Sequence, residues 1–99
     1  MTRDEVIHRL RGVEDDLRAH GVSALFLFGS RARDEARPES DLDVFVDPAD
    51  EGSFGLAAFD ETYALVERAF PDIPVGYSTR DGLVPVFREY IEREAIRVF

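Results

Sequence analysis

The chain contains no cysteine, which excludes a disulfide framework, a zinc–thiolate cluster and a cysteine nucleophile; that fits a reducing compartment, and the cytoplasm is the expected location. No apolar run approaches the roughly 18 residues a membrane span requires, and the opening MTRDEVIHRL carries charges where a signal peptide would need an apolar centre. No membrane partner is therefore expected. Positive charge is also scarce, with 12 basic residues against 21 acidic ones and a formal net charge of −9. This balance repels a phosphate backbone unless basic residues cluster or metal ions intervene, so direct nucleic-acid binding is not expected. Against these absences, 44% of residues are hydrophobic and eight are Phe, enough for a folded core. A length of 99 residues predicts a single domain over positions 1–99, with room for one active site or one interface.

Val6, Ile7, Leu10, Val13 and Leu17 recur at three- and four-residue spacings, which predicts one amphipathic helix from Arg3 to Ala19, stopped near Gly21. The unbroken run from Ala24 to Phe28 predicts a buried strand closed by Gly29-Ser30, then a turn and a short helix through Arg31 to Arg33. Pro38 and its polar neighbours predict a loop. From Asp41 to Asp47 the pattern alternates, so Leu42, Val44 and Val46 share one face while Asp41, Asp43, Phe45 and Asp47 share the other. A second helix is expected from Leu56 to Phe70, a strand from Ile73 to Ser78, a last helix from Leu83 to Ala95, and a short strand from Ile96 to Phe99. The order predicts an α/β (α+β) fold, a small mixed sheet with helices packed on it.

Two acids one residue apart are weak signals alone, because 21 acids in 99 residues generate about four such triplets by chance. Their context carries more. An apolar strand ends in Gly29-Ser30, an arginine-bearing loop follows, and Ser40-Asp41-Leu42-Asp43 opens the next strand. Gly29 lets backbone amides approach a ligand, and Ser30 adds a hydroxyl at a turn where phosphate is favoured. Asp41 and Asp43 present hard oxygens to Mg²⁺, which takes a few carboxylates together with waters and substrate phosphates. Arg31 and Arg33 stand where they could offset phosphate charge. The competing interpretation makes the aspartates a solvated strand face and the arginines ordinary surface charge. His8 and His20, in or just after the first helix, are expected to be surface or capping residues.

The stretch GSRARDEARPESDLDVFV resembles the signature of the DNA polymerase β nucleotidyltransferase superfamily, and most closely its minimal nucleotidyltransferases; the element order and the ending EREAIRVF extend the resemblance over almost the whole chain. The resemblance implies a polymerase β-like fold and transfer of AMP from ATP to a hydroxyl, with pyrophosphate released. It implies that Gly29, Ser30, Arg31, Arg33 and Ser40 bind nucleotide and that Asp41 and Asp43 are the catalytic residues, coordinating two Mg²⁺ ions. It further implies a HEPN-type helical toxin as partner, with this chain as the antitoxin that adenylylates it. A homodimer through exposed sheet edges is compatible with the pattern.

Two positions depart from the family pattern. Gly76 stands where the family usually supplies a third carboxylate, and of the nearby acids Asp72 would need a bulge to reach the site, Asp81 a curled loop, and Asp47 is expected past the pocket; Asp81 is more simply a helix cap. Asp34 stands where a glycine is common; if the loop needs a positive φ there, Asp tolerates it better than most residues. The Gly76 substitution favours an alternative function, a weakened transferase fold that neutralises a partner ribonuclease by direct contact.

Overall fold

The computed structural model describes residues 1–99. The elements are α1 (Arg3–Arg11), α2 (Glu14–Ala19), β1 (Val22–Phe28), β2 (Leu42–Pro48), α3 (Leu56–Ala69), β3 (Val75–Thr79), a 3-10 turn (Arg80–Gly82), α4 (Pro85–Glu94) and β4 (Ile96–Arg97). The four strands form one mixed sheet in the order β3-β2-β1-β4. β1 runs antiparallel to β2 and β4, and β2 runs parallel to β3.

Side-chain alternation sorts the sheet into two faces. Leu25 and Leu27 of β1, Leu42, Val44 and Val46 of β2, and Val75 and Tyr77 of β3 join Val6, Leu10, Leu17, Val66 and Phe70 of the helical layer in one buried cluster. Burying each large aliphatic side chain contributes about 1.5–3 kcal/mol, so this face anchors the fold. On the opposite face Phe26 stacks on Phe45 with ring centroids 4.7 Å apart. The Arg80 guanidinium covers both rings at 4.9 and 5.0 Å. It also pairs with both oxygens of Asp47 at 2.9 Å and with Glu92 of α4 at 2.7 Å. Through Arg80, α4 is tied to the face that carries Asp43.

The single helix expected from Arg3 to Ala19 is two helices. Thr2 and Glu5 close a reciprocal capping box at the start of α1. The break falls at Gly12 and Val13, where the Gly12 N–H is shared between the carbonyls of His8 and Arg9; glycine costs a helix interior about 1 kcal/mol relative to alanine. Val13 keeps its place in the apolar stripe, so periodicity alone did not reveal the interruption. Residues 31–34 form a turn rather than a short helix. β2 starts at Leu42, one residue later than expected, and β3 at Val75, after Pro74.

Candidate active site

β1 ends at Phe28, and Gly29 follows with φ +75°, a left-handed conformation that favours glycine. The Gly29 carbonyl accepts from the N–H groups of Ala32 and Arg33 at 3.1 and 3.2 Å. The turn closes at Asp34, which has φ +58°. Asp34 N–H donates to the Arg31 carbonyl at 3.4 Å and Glu35 N–H to the Ser30 carbonyl at 2.9 Å, the pairing that ends a helical turn with a left-handed residue. Asp34 therefore takes the positive φ that a glycine would otherwise supply. Its side chain is used as well: Oδ1 accepts from the N–H of Arg3 at 2.9 Å.

Within this bend the Ser30 hydroxyl and N–H have no partner in the protein. Beside it, Asp43 projects from β2 between two glycines. A Cβ built on Gly29 would fall 2.6 Å from Asp43 Oδ2, and one built on Gly76 would fall 2.7 Å from Oδ1. Gly76 is the β3 partner of Asp43 in the parallel register, and Phe28 is its partner on β1. The absence of side chains on both flanks gives the carboxylate its notch.

Asp43 is half-buried, and that burial is the main cause of a pKa raised above the ordinary carboxylate value; the Asp41 charge raises it further, Arg33 partly offsets this, and Glu94 adds a smaller upward push. Asp41 lies immediately before β2 and is exposed. Neither aspartate forms a salt bridge. Two neighbouring carboxylates that repel each other and have no salt-bridge partner form a donor set that a hard divalent cation relieves, so the residues fit Mg²⁺. No group of three or more His, Cys, Asp or Glu side chains is gathered as a closed metal cage.

The remaining expected residues divide. Arg33 is exposed on the bend and pairs with Glu94 at 2.9 Å and Glu35 at 3.3 Å, both of which raise its pKa. Arg31 is only 3% exposed, and its guanidinium donates to the carbonyls of Ser40 at 2.7 and 3.2 Å and of Arg37 at 3.4 Å. These bonds pin the loop. The Ser40 hydroxyl accepts from the N–H of Arg37 at 2.9 Å and closes the same loop. These two residues set the point at which the chain enters β2, and with it the placement of Asp41.

The candidates for a third carboxylate lie elsewhere. Asp47 is held by Arg80, Asp81 pairs with Arg88 at 3.1 Å, and Asp72 is exposed in the turn before β3. Asp81 is not a cap, because the 3-10 turn is capped by Thr79, whose hydroxyl accepts from Gly82 N–H, and α4 has no side-chain cap. Both histidines are exposed, and His20 Nδ1 lies 2.8 Å from the Asp16 carbonyl. The residue missed at the site is Glu94, whose carboxylate accepts from Gly29 N–H at 3.1 Å and from Arg33. A carboxylate in the last turn of a helix opposes the helix dipole, which was the available hint of a tertiary role.

A family model described as a nucleotidyltransferase domain matches residues 10–98. Among solved structures, one described as a minimal nucleotidyltransferase is similar with a TM-score of 0.79 and 33% identity, over 97% of this chain and 95% of that one. A toxin–antitoxin with AMP-PNP is similar at TM-score 0.70 and 19% identity, over 94% and 72% of the two chains. A mutant of the toxin–antitoxin MntA–HpeT follows at 0.64 and 18%, over 100% and 73%. No curated protein sequence matches the chain.

Proposed function

Because this chain belongs to the nucleotidyltransferase domain family, we propose that it transfers AMP from ATP to a hydroxyl of a partner protein and serves as the antitoxin of a HEPN-type helical toxin. The observation that carries the reading is the juxtaposition of Asp43, set in its notch between Gly29 and Gly76, with the unpartnered hydroxyl and N–H of Ser30 in the adjoining bend. The toxin–antitoxin neighbours support the choice of partner class, and the presence of AMP-PNP with one of them supports an adenine nucleotide.

In this reading the Ser30 hydroxyl and N–H bind the terminal phosphates at the bend, and Arg33 offsets their charge. Asp41 and Asp43 would hold Mg²⁺, which when bound would stabilise charge on the transferring phosphoryl group. Arg31 and Ser40 act indirectly by fixing the loop that delivers Asp41. In the transfer, the acceptor hydroxyl oxygen forms a bond to the α-phosphorus, the bond from that phosphorus to the bridging oxygen breaks, pyrophosphate leaves, and the hydroxyl proton passes to solvent water. The chain is read as cytoplasmic, a setting that suits a cysteine-free protein; no helix is long and apolar enough to cross a membrane.

A second reading is favoured by Gly76, which leaves β3 without a carboxylate opposite Asp43. There the fold neutralises its partner by contact alone. Val84, Val86, Phe87 and Tyr90, on and just before α4, are each more than half exposed and supply an apolar surface for that contact. Incubating the protein with α-labelled ATP, Mg²⁺ and a purified helical partner separates the readings. Label on the partner supports transfer. Inhibition of the partner without label, unchanged when ATP is omitted, supports the contact reading.

A further inference from the structure

The Gly29 amide is already occupied. In the β1–β4 ladder Leu27 pairs with Ile96 and Phe26 with Arg97, a register that, continued by two residues, brings Gly29 opposite Glu94. At that point the chain is still in α4, so no backbone carbonyl of β4 is available to Gly29. The Glu94 side chain takes its place, with Oε1 accepting from Gly29 N–H at 3.1 Å while Oε2 accepts from Arg33 Nη1 at 2.9 Å. A carboxylate, unlike a backbone carbonyl, can swing away by side-chain rotation alone.

An amide at a glycine bend and a neighbouring guanidinium form the donor pair that recognises a phosphate oxygen. Glu94 presents them with two anionic oxygens of its own. It also lies close enough to Asp43 to push that carboxyl's pKa upward, so it adds negative charge where a polyphosphate and Asp43 must coexist. Its side chain is only 15% exposed, and its position in the last turn of α4 is unfavourable without these two donors.

We propose that Glu94 is an internal stand-in for phosphate, holding the Gly29 amide and the Arg33 guanidinium until a nucleoside triphosphate displaces it. The inference rests on the nucleotide reading above and adds a regulatory contact to it. On binding, phosphate oxygens take over one or both donors and Glu94 turns to solvent. No covalent bond changes. The exchange lowers affinity by the strength of the contacts that must first be broken, and it makes the bend selective for ligands carrying several negative charges over those carrying one.

Glu94→Gln separates charge from structure, because the amide oxygen still accepts from Gly29 N–H while the anionic partner of Arg33 is gone. Titrations of MgATP and of inorganic tripolyphosphate into both proteins, followed by calorimetry, are expected to show about three- to tenfold tighter binding by Glu94→Gln. Equal or weaker binding by the variant, with the unmodified protein binding normally, would overturn the stand-in role and leave the nucleotide reading intact. Absence of binding by either protein removes both. An independent readout avoids the variant altogether: in the unmodified protein, tripolyphosphate is expected to shift the Gly29 amide and Arg33 Nη resonances together. Saturation without movement of either signal would contradict the exchange.

Discussion

A Cβ built on Gly76 would lie 2.7 Å from Oδ1 of Asp43, its partner across the parallel β2–β3 ladder. The close atom is the tip of a flexible side chain, so a larger residue at position 76 is accommodated by a small rotation of Asp43 rather than by moving backbone. A carboxylate introduced there shares the Asp43 face of the sheet. Gly76→Asp is therefore expected to lower metal-free stability by roughly 0.5–1 kcal/mol through like-charge repulsion between opposed strand positions. It is also expected to enlarge the Mg²⁺-induced rise in Tm and to increase label transfer from α-labelled ATP. Equal transfer by the two proteins would mean that another group already fills the role.

Asp43 itself is predicted to trade stability for function. Its carboxyl titrates above the ordinary 3.8, mainly because of burial, so the folded state disfavours the charged form. The associated stability is fully present below the unfolded-state value and is lost as pH rises through the higher folded-state value. Asp43→Asn removes this loss. Its stability advantage is expected to be absent at low pH, to grow through the window above 3.8, and to level off at no more than about 1 kcal/mol, since a half-exposed charge is screened by solvent. Parallel urea titrations across that pH range, without metal, measure it; an advantage that is independent of pH would refute the assignment to Asp43 ionisation.

Asp34 tests the bend independently of chemistry. With φ +58° and a bond from Arg3 N–H, Asp34→Ala should lose about 1–2 kcal/mol, combining the poorer tolerance of Ala for the left-handed region with a lost hydrogen bond. Asp34→Gly restores the backbone but not the bond and should fall between. Thermal melts giving Ala and Gly the same stability would show that the positive φ carries no cost.

Arg80 is predicted to hold α4 and the sheet together. It covers Phe26 and Phe45 and grips Asp47 with two bonds, so Arg80→Ala uncovers two rings and strands a carboxylate, for a loss of about 2–4 kcal/mol. Arg80→Lys should recover only part, because an ammonium neither forks nor stacks in the same way. A change below about 0.5 kcal/mol in urea unfolding would place Arg80 among inert surface residues.

Much of this was legible in the chain. The alternation of Leu42, Val44 and Val46 with Asp43, Phe45 and Asp47 assigned the two faces of β2 because a strand has a strict period of two. The Gly29-Ser30 punctuation located the bend, and the tolerance of Asp for positive φ accounted for position 34. The contacts that were not legible share a physical cause. Arg31, Arg33, Arg80 and Glu94 are long polar side chains whose partners lie in tertiary space, so neighbouring sequence did not show that Arg31 turns inward to carbonyls or that Glu94 reaches across to Gly29. The break at Gly12 leaves no mark on the periodicity because Val13 keeps the helical stripe in phase.

The most direct test of the account is ATP binding measured by calorimetry with and without Mg²⁺, on the unmodified protein and on the Asp41→Asn, Asp43→Asn double variant. The account predicts that Mg²⁺ strengthens binding to the unmodified protein by at least about tenfold and that the double variant loses this enhancement while remaining folded. No detectable binding by the unmodified protein, or an identical Mg²⁺ dependence in both, would contradict it.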